Sequence, residues 1–401
     1  MAFLESQVPF QLMYRVSWFI WFPLLCCLLG GCIERYYPEG DEFKTGTLVV
    51  IAHVDNSSGI QSIYVSRSTS QEFPKKEPLE GCYVEIQDAE GNSFLFDEAI
   101  PGKYSGIPYD GFLKLGEEYR LVLVTPDGAR YESEFERMHP APAIDALYWK
   151  KEELPTSKPG KILEGIRFYM DFEIEKDSGR YLRWHQVETY EMRNPPYSDT
   201  EVYDTDRRFK PIPQEIDWST CWITNQVPEI FTMDLGNVEG DTYREMPLSF
   251  VSNEGQRLKY RYSLMVRQYA LSTAAYWYWD GLKNNVQSNG GLFDSQPSLT
   301  PGNICNVNDE NEIVIGYFSV SGVSEKRIFV SDVPDLNIIP EDGFCEPGGL
   351  PYSFSRLARA FLPYYIATLE IDGSNRRGNV ELECIDCSEH INSTHVVPDF
   401  W

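Results

Sequence analysis

Histidine and positive charge are both scarce in this chain: 401 residues hold five His, and 35 Lys and Arg stand against 61 Asp and Glu, a formal charge of -26. Each shortage closes off a class. A nucleic-acid binder neutralises phosphates with a basic footprint, and none is visible, so no nucleic-acid partner is expected. Five imidazoles offer few general bases. No Gly-x-Ser-x-Gly elbow, phosphate loop, dinucleotide fingerprint or His-Glu-x-x-His pair occurs, which removes the common hydrolase, nucleotide and metalloprotease signatures. A glycosidase needs only two carboxylates at a set distance in space, so a surface hydrolase stays as the lesser alternative to a non-catalytic protein. There is no internal repeat and no low-complexity tract. The apolar run Val16 to Leu29 is shorter than the ~20 residues of a bilayer-spanning helix and lacks a basic stop-transfer flank.

What the chain does have begins where that run ends. Leu29-Gly30-Gly31-Cys32 places small residues and a cysteine between an apolar core and a polar chain, and it resembles a bacterial lipoprotein box. Residues 1–31 are then a signal peptide cut before Cys32, whose thiol and new amino group carry the acyl chains. At ~0.8 kcal/mol per buried methylene, two or three such chains hold the protein on outer-membrane lipid. Glu5 fits a leader poorly, whereas Met13-Tyr14-Arg15 followed by the apolar core is an ordinary one, so translation from Met13 is an alternative to Met1. Residues 32–45 make a tether. Its Glu39, Asp41 and Glu42 resemble the export signal that sends lipoproteins of the Bacteroidetes group to the cell surface, and residue 33 is Ile where inner-membrane retention uses Asp.

Beyond the leader there are six cysteines, Cys82, Cys221, Cys305, Cys345, Cys384 and Cys387, and in an exported chain all are disulfide candidates. Cys384 and Cys387 are too close for a relaxed bridge to each other, so at least one pairs with a distant cysteine such as Cys345. The run Cys384-x2-Cys387-x2-His390-x4-His395 has zinc-like ligand types. The histidines follow too soon for the knuckle and helix that usually complete a tetrahedral site, and oxidising surroundings favour disulfides, so no metal and no other cofactor is expected.

Alternation and turn signals predict a mainly β protein. Short strands punctuated by Asp110-Gly111 and Pro126-Asp127-Gly128 over 46–138 predict an N-terminal β-sandwich, immunoglobulin- or transthyretin-like. The Pro-rich stretch 139–146 is the boundary, and 147–401 is a larger β-rich domain with one or two helices. Strands are expected at Ile166 to Ile174, Tyr181 to Tyr190 and Leu258 to Gln268. In the last, Leu258, Tyr260, Tyr262, Leu264 and Val266 form an apolar face. Around that strand Arg257, Lys259, Arg261 and Arg267 suggest an anion platform, but a solvated outer face paired with the acidic excess is the preferred account. Ser272-Thr273 opens a helix whose Tyr276-Trp277-Tyr278-Trp279 run could stack sugars. Four consecutive aromatics point all around a helix, so packing on a sheet is preferred.

Gly81 to Asp88, Tyr119 to Gly128, Gln268 to Ser272, Ala275 to Trp279, Leu292 to Pro297, Gly302-Asn303-Ile304, Gly316 to Val320, Cys384-Ile385-Asp386-Cys387 and Pro398-Asp399-Phe400-Trp401 stand in order along the chain. Through them the chain resembles the DUF4249 family of Bacteroidetes surface lipoproteins. The resemblance implies a role beside a TonB-dependent barrel transporter, comparable to nutrient-capturing lipoproteins, and it supplies no catalytic residues. A structural or assembly component of an outer-membrane complex is the alternative. Phe400 and Trp401 are candidates for filling a pocket on the partner, or for pinning the chain end to its own core.

Overall fold

In Leu48–Asp55, Leu48, Val50, Ala52 and Val54 are buried and Ile51 is exposed. This period of two sends successive side chains to opposite faces of a sheet. The computed structural model describes residues 45–401 apart from 70–74, 76, 157–159, 161, 175–177, 213–217, 238–239, 288–299, 341–343 and 372. Over these residues the protein is mainly β, with several sheets, the helix Thr273–Gln287 and the single helical turn Leu382–Ile385.

The first sheet runs in spatial order Ile304–Asn306, Arg130–Ser133, Glu118–Val124, Tyr83–Asp88, Ser93–Ile100, Lys103–Gly106, Gln61–Arg67, Leu48–Asp55 and Val314–Ser321. Ser93–Ile100 pairs through its first half with Tyr83–Asp88 and through its second half with Lys103–Gly106. Side chains from both sides of this crossing strand, among them Val50, Ile63, Val84, Leu121 and Phe318, share one core. Two of the strands come from far down the chain, past the Pro-rich 139–146 stretch. Val314–Ser321 lies parallel to Leu48–Asp55, and Ile304–Asn306 lies antiparallel to Arg130–Ser133.

Two glycines allow that closure. A Cβ on Gly316 would sit 1.8 Å from the Val50 carbonyl oxygen, and one on Gly302 would sit 1.9 Å from the oxygen of Gly316. Only a residue without Cβ lets the backbones approach so closely.

A second core lies between a three-stranded sheet of Ile144–Pro155, Ile162–Glu173 and Thr242–Ser252 and a six-stranded sheet built around Tyr181–Arg193 and Tyr262–Leu271. Phe168, Phe172, Trp184, Tyr262, Leu264 and Val266 fill it. The expected strand from Leu258 begins only at Tyr262, because the Lys259 amide donates to the Gln256 carbonyl and makes a turn. A four-stranded sheet of Phe209–Pro211, Asp199–Tyr203, Tyr364–Ile371 and Ser374–Val380 completes the fold.

Disulfides join Cys345 to Cys384 and Cys221 to Cys387, so the two cysteines of the tail each reach a distant partner. The six-cysteine expectation is corrected at two positions. Cys82 is buried and Cys305 exposed, both unpaired, because each lies in the first sheet region and its neighbours there are not cysteines: Cys305 faces Glu132 across the ladder, and the Cys82 thiol faces the Leu79 carbonyl.

Candidate functional site

Strand parity builds a cleft from the faces that the two cores leave over. On Tyr181–Arg193, Leu182 and Trp184 point into the second core, so Arg183 and His185 share the other face. On Tyr262–Leu271 the same split turns Leu264 and Val266 inward and leaves Arg267 and Tyr269 outward. The register then sets Arg183 opposite Tyr269 and His185 opposite Arg267, a compact cross-strand square. From the first sheet, Leu48–Asp55 offers its non-core residues Ile51, His53 and Asp55, and Gln61–Arg67 adds Ser62 and Tyr64. Together with Trp279 of the helix these groups line a cavity of about 290 Å³.

The helix is held over the cleft by its neighbours. Ser272 caps it, its hydroxyl accepting from the Ala275 amide at 3.1 Å. Tyr276 stacks on Tyr181 at 4.5 Å and Tyr278 on Tyr317 at 4.8 Å, which leaves Trp277 facing solvent and Trp279 facing the cleft. The aromatic run therefore does three jobs, of which packing accounts for two residues.

Inside the cleft the Arg183 guanidinium lies 3.5 Å from the centre of the Trp279 ring. The His53 ring meets Tyr269 edge-on at 4.3 Å, with its Nδ1 at 2.8 Å from the Ser319 hydroxyl. Asp55 accepts from the Ser57 amide at 2.9 Å and from Gln61 Nε2 at 3.3 Å, and Arg267 pairs with Glu325 at 3.2 Å. Burial, reinforced by the Arg183 charge, pushes His53 down to about 3 and His185 down to about 4, so both rings are neutral at pH 7. Burial lowers Arg183 to about 10, which leaves it charged. The cleft thus offers two cations, Arg183 and Arg267, with neutral imidazoles and aromatic faces.

These depressed histidines make stability pH-dependent. Unfolded imidazoles titrate near 6.5, so below that pH the unfolded chain binds protons that the folded cleft refuses, and stability falls as pH drops toward 4. A loss of up to about 1.4 kcal/mol per pH unit for each ring is expected, lessened by solvent at the cleft mouth. Chemical denaturation at pH 6.5 and 5.0 measures it. The double variant His53→Gln/His185→Gln should lose clearly less stability over that interval, and an unchanged difference rules the account out.

The sequence-predicted platform disperses. Arg257 pairs with Glu188 at 3.5 Å, Lys259 lies over Tyr260, and Arg261 sits between Phe329 and Trp401; of the four, Arg267 alone lines the cleft. Phe400 carries the Arg327 guanidinium 3.4 Å above its ring and Trp401 meets Phe329 edge-on, so both terminal aromatics rest on this protein's own sheet, Phe400 still 40% exposed. Leu29, Gly30, Gly31 and Cys32 lie outside the described residues.

The zinc-like run of the tail does not assemble as spaced. Cys384 belongs to one disulfide, Cys387 to the other, and His390 stacks on Phe344. The described residues instead gather Cys221, Cys387 and His395, with His395 Nδ1 at 3.5 Å from Cys221 Sγ and Nε2 at 2.8 Å from Asp386. A metal there needs thiolates, and both sulfurs are already bonded to each other.

Sequence reasoning missed Arg183, His185 and His53. The available signal was parity: each shares a strand face with residues excluded from the core.

A family model described as a domain of unknown function, DUF4249, matches residues 33–327. The chain belongs to the DUF4249 family. Comparison with curated proteins finds no match. In this DUF4249 protein every residue that lines the cleft falls within the matched span, whereas Cys345, Cys384, Cys387, Phe400 and Trp401 follow it.

Proposed function

We propose that this protein is a lipid-anchored outer-membrane surface protein, tethered through Cys32, that acts as a ligand-capturing accessory subunit of a TonB-dependent transporter. The observation that carries ligand capture is the cleft, where a charged guanidinium and two imidazoles line a cavity of about 290 Å³, near the lower end of small-molecule sites. A purely structural or assembly component needs no such cavity. The Leu29 to Cys32 box and the acidic residues behind it support the anchor and the surface location. Tethering supports the partnership, because confinement to the membrane raises the effective concentration of the pair and lets a modest contact area suffice.

Cys32→Ala is the direct test. The variant should lose acyl labelling and leave the membrane fraction, and a tagged barrel transporter that co-purifies with the native protein should be lost from it. Unchanged acylation refutes the anchor. If the native protein brings down assembly factors and no transporter, the assembly alternative replaces this one.

A further inference from the structure

The two cations of the cleft are not equally compensated. Arg267 has Glu325 at 3.2 Å and feels the Asp55 carboxylate. Arg183 forms no ion pair among the described residues: it lies against Trp279, and its Nε is enclosed without a hydrogen-bond partner. A partly buried guanidinium with no carboxylate partner is costly unless an anion compensates it. Two other residues that line the cleft, His53 and Trp279, also carry an enclosed, unpartnered nitrogen, Nε2 and Nε1 respectively. Three residues of one small cavity thus each hold a buried nitrogen without a partner.

The cleft also has an apolar side, where Ile51, Ile60 and Tyr64 are 52%, 68% and 42% exposed. Asp55 lines the cavity as well, and its charge opposes a second negative charge on any occupant. A guanidinium fork matches a carboxylate in two parallel hydrogen bonds, and an indole face accepts a flat or apolar body.

We propose that the cleft binds a single carboxylate carried on an apolar or aromatic body, with the carboxylate on Arg183 and the body against Trp279, Tyr64 and Ile51. This deepens the ligand-capture reading and rests on it. A free organic acid and the C-terminus of a short peptide share this chemistry.

The test is calorimetric titration of the full-length, detergent-solubilised protein with 4-phenylbutyrate, its amide, glycyl-phenylalanine and glycyl-phenylalanine amide. At least one acid should bind, at least tenfold more tightly than its own amide, and Arg183→Gln should weaken that acid tenfold or more. Arg183→Lys, which keeps the charge and loses the fork, should fall between. Binding by phenylbutyrate alone assigns a free acid, and binding by the dipeptide alone assigns a peptide terminus. Equal affinity for acid and amide, or binding by neither acid, overturns the proposal, and this comparison needs no variant. Retention of the acid by a folded Arg183→Gln protein also overturns it. Co-purification with a transporter is scored separately: if it persists while the acids fail, the ligand class was wrong and the partnership stands, and if the acids bind while it fails, the reverse holds.

Discussion

Trp184→Ala is expected to destabilise the protein more than any other single substitution considered. The indole is 1% exposed at the centre of the second core, and its Nε1 donates to Gln268 Oε1 at 2.8 Å. Gln268 in turn donates to the Pro142 carbonyl at 2.7 Å and ties the six-stranded sheet to the Pro-rich entry of the second core. Truncation loses the buried surface and leaves a cavity, about 3–5 kcal/mol. It also strands the Gln268 oxygen, a further ~1–3 kcal/mol. Together these approach the whole stability of an ordinary domain, about 5–15 kcal/mol, so folded yield should collapse. Trp184→Phe separates the two contributions, since it keeps most of the apolar area and breaks the hydrogen bond. Denaturant melts should place it between wild type and Trp184→Ala. An Ala variant that costs less than ~2 kcal/mol would show that the core closes over the gap.

Loss of the Cys221–Cys387 bridge is the second large effect expected. It spans 166 residues, against 39 for Cys345–Cys384. In the chain-entropy account a bridge stabilises by restricting the unfolded chain, about 2–5 kcal/mol and more for longer loops. It also fixes the tail to the six-stranded sheet, where Ser393–Thr394 pairs with Thr220–Gln226. Cys221→Ser/Cys387→Ser should therefore lower the melting temperature more than Cys345→Ser/Cys384→Ser, and proteolysis should first release the segment after 387. The opposite ranking would show that native-state strain or residual unfolded structure outweighs loop entropy here. Peptide mapping without reductant checks the pairing itself.

Much of the fold was legible because one-dimensional patterns carry it. A nearly continuous apolar run marked the strand around Leu48, alternation marked the one around Tyr262, the Ser272 cap marked the helix, and close spacing pointed at least one of Cys384 and Cys387 to a distant partner. The family likeness was legible in runs that include Gly302 and Gly316, and the structure places both glycines where two backbones touch. What each motif does was harder to see. Trp279 and Arg267 belonged to groups assigned to packing and to a solvated face, and most members of those groups are in fact so used.

The sequence by itself determined the strand-rich class, a distant partner for at least one of Cys384 and Cys387, the acidic excess and the expectation of a lipid anchor at Cys32. These follow from local pattern and composition. Only the tertiary structure decided that Val314–Ser321 closes the first sheet and that His53, Arg183, His185, Arg267 and Trp279 meet. A strand's periodicity says which side chains share a face, but it carries no information about which other face will lie against it. That choice is made by hydrogen-bond pairing and packing between segments far apart in the chain, and the cleft exists only where those pairings leave two faces unfilled.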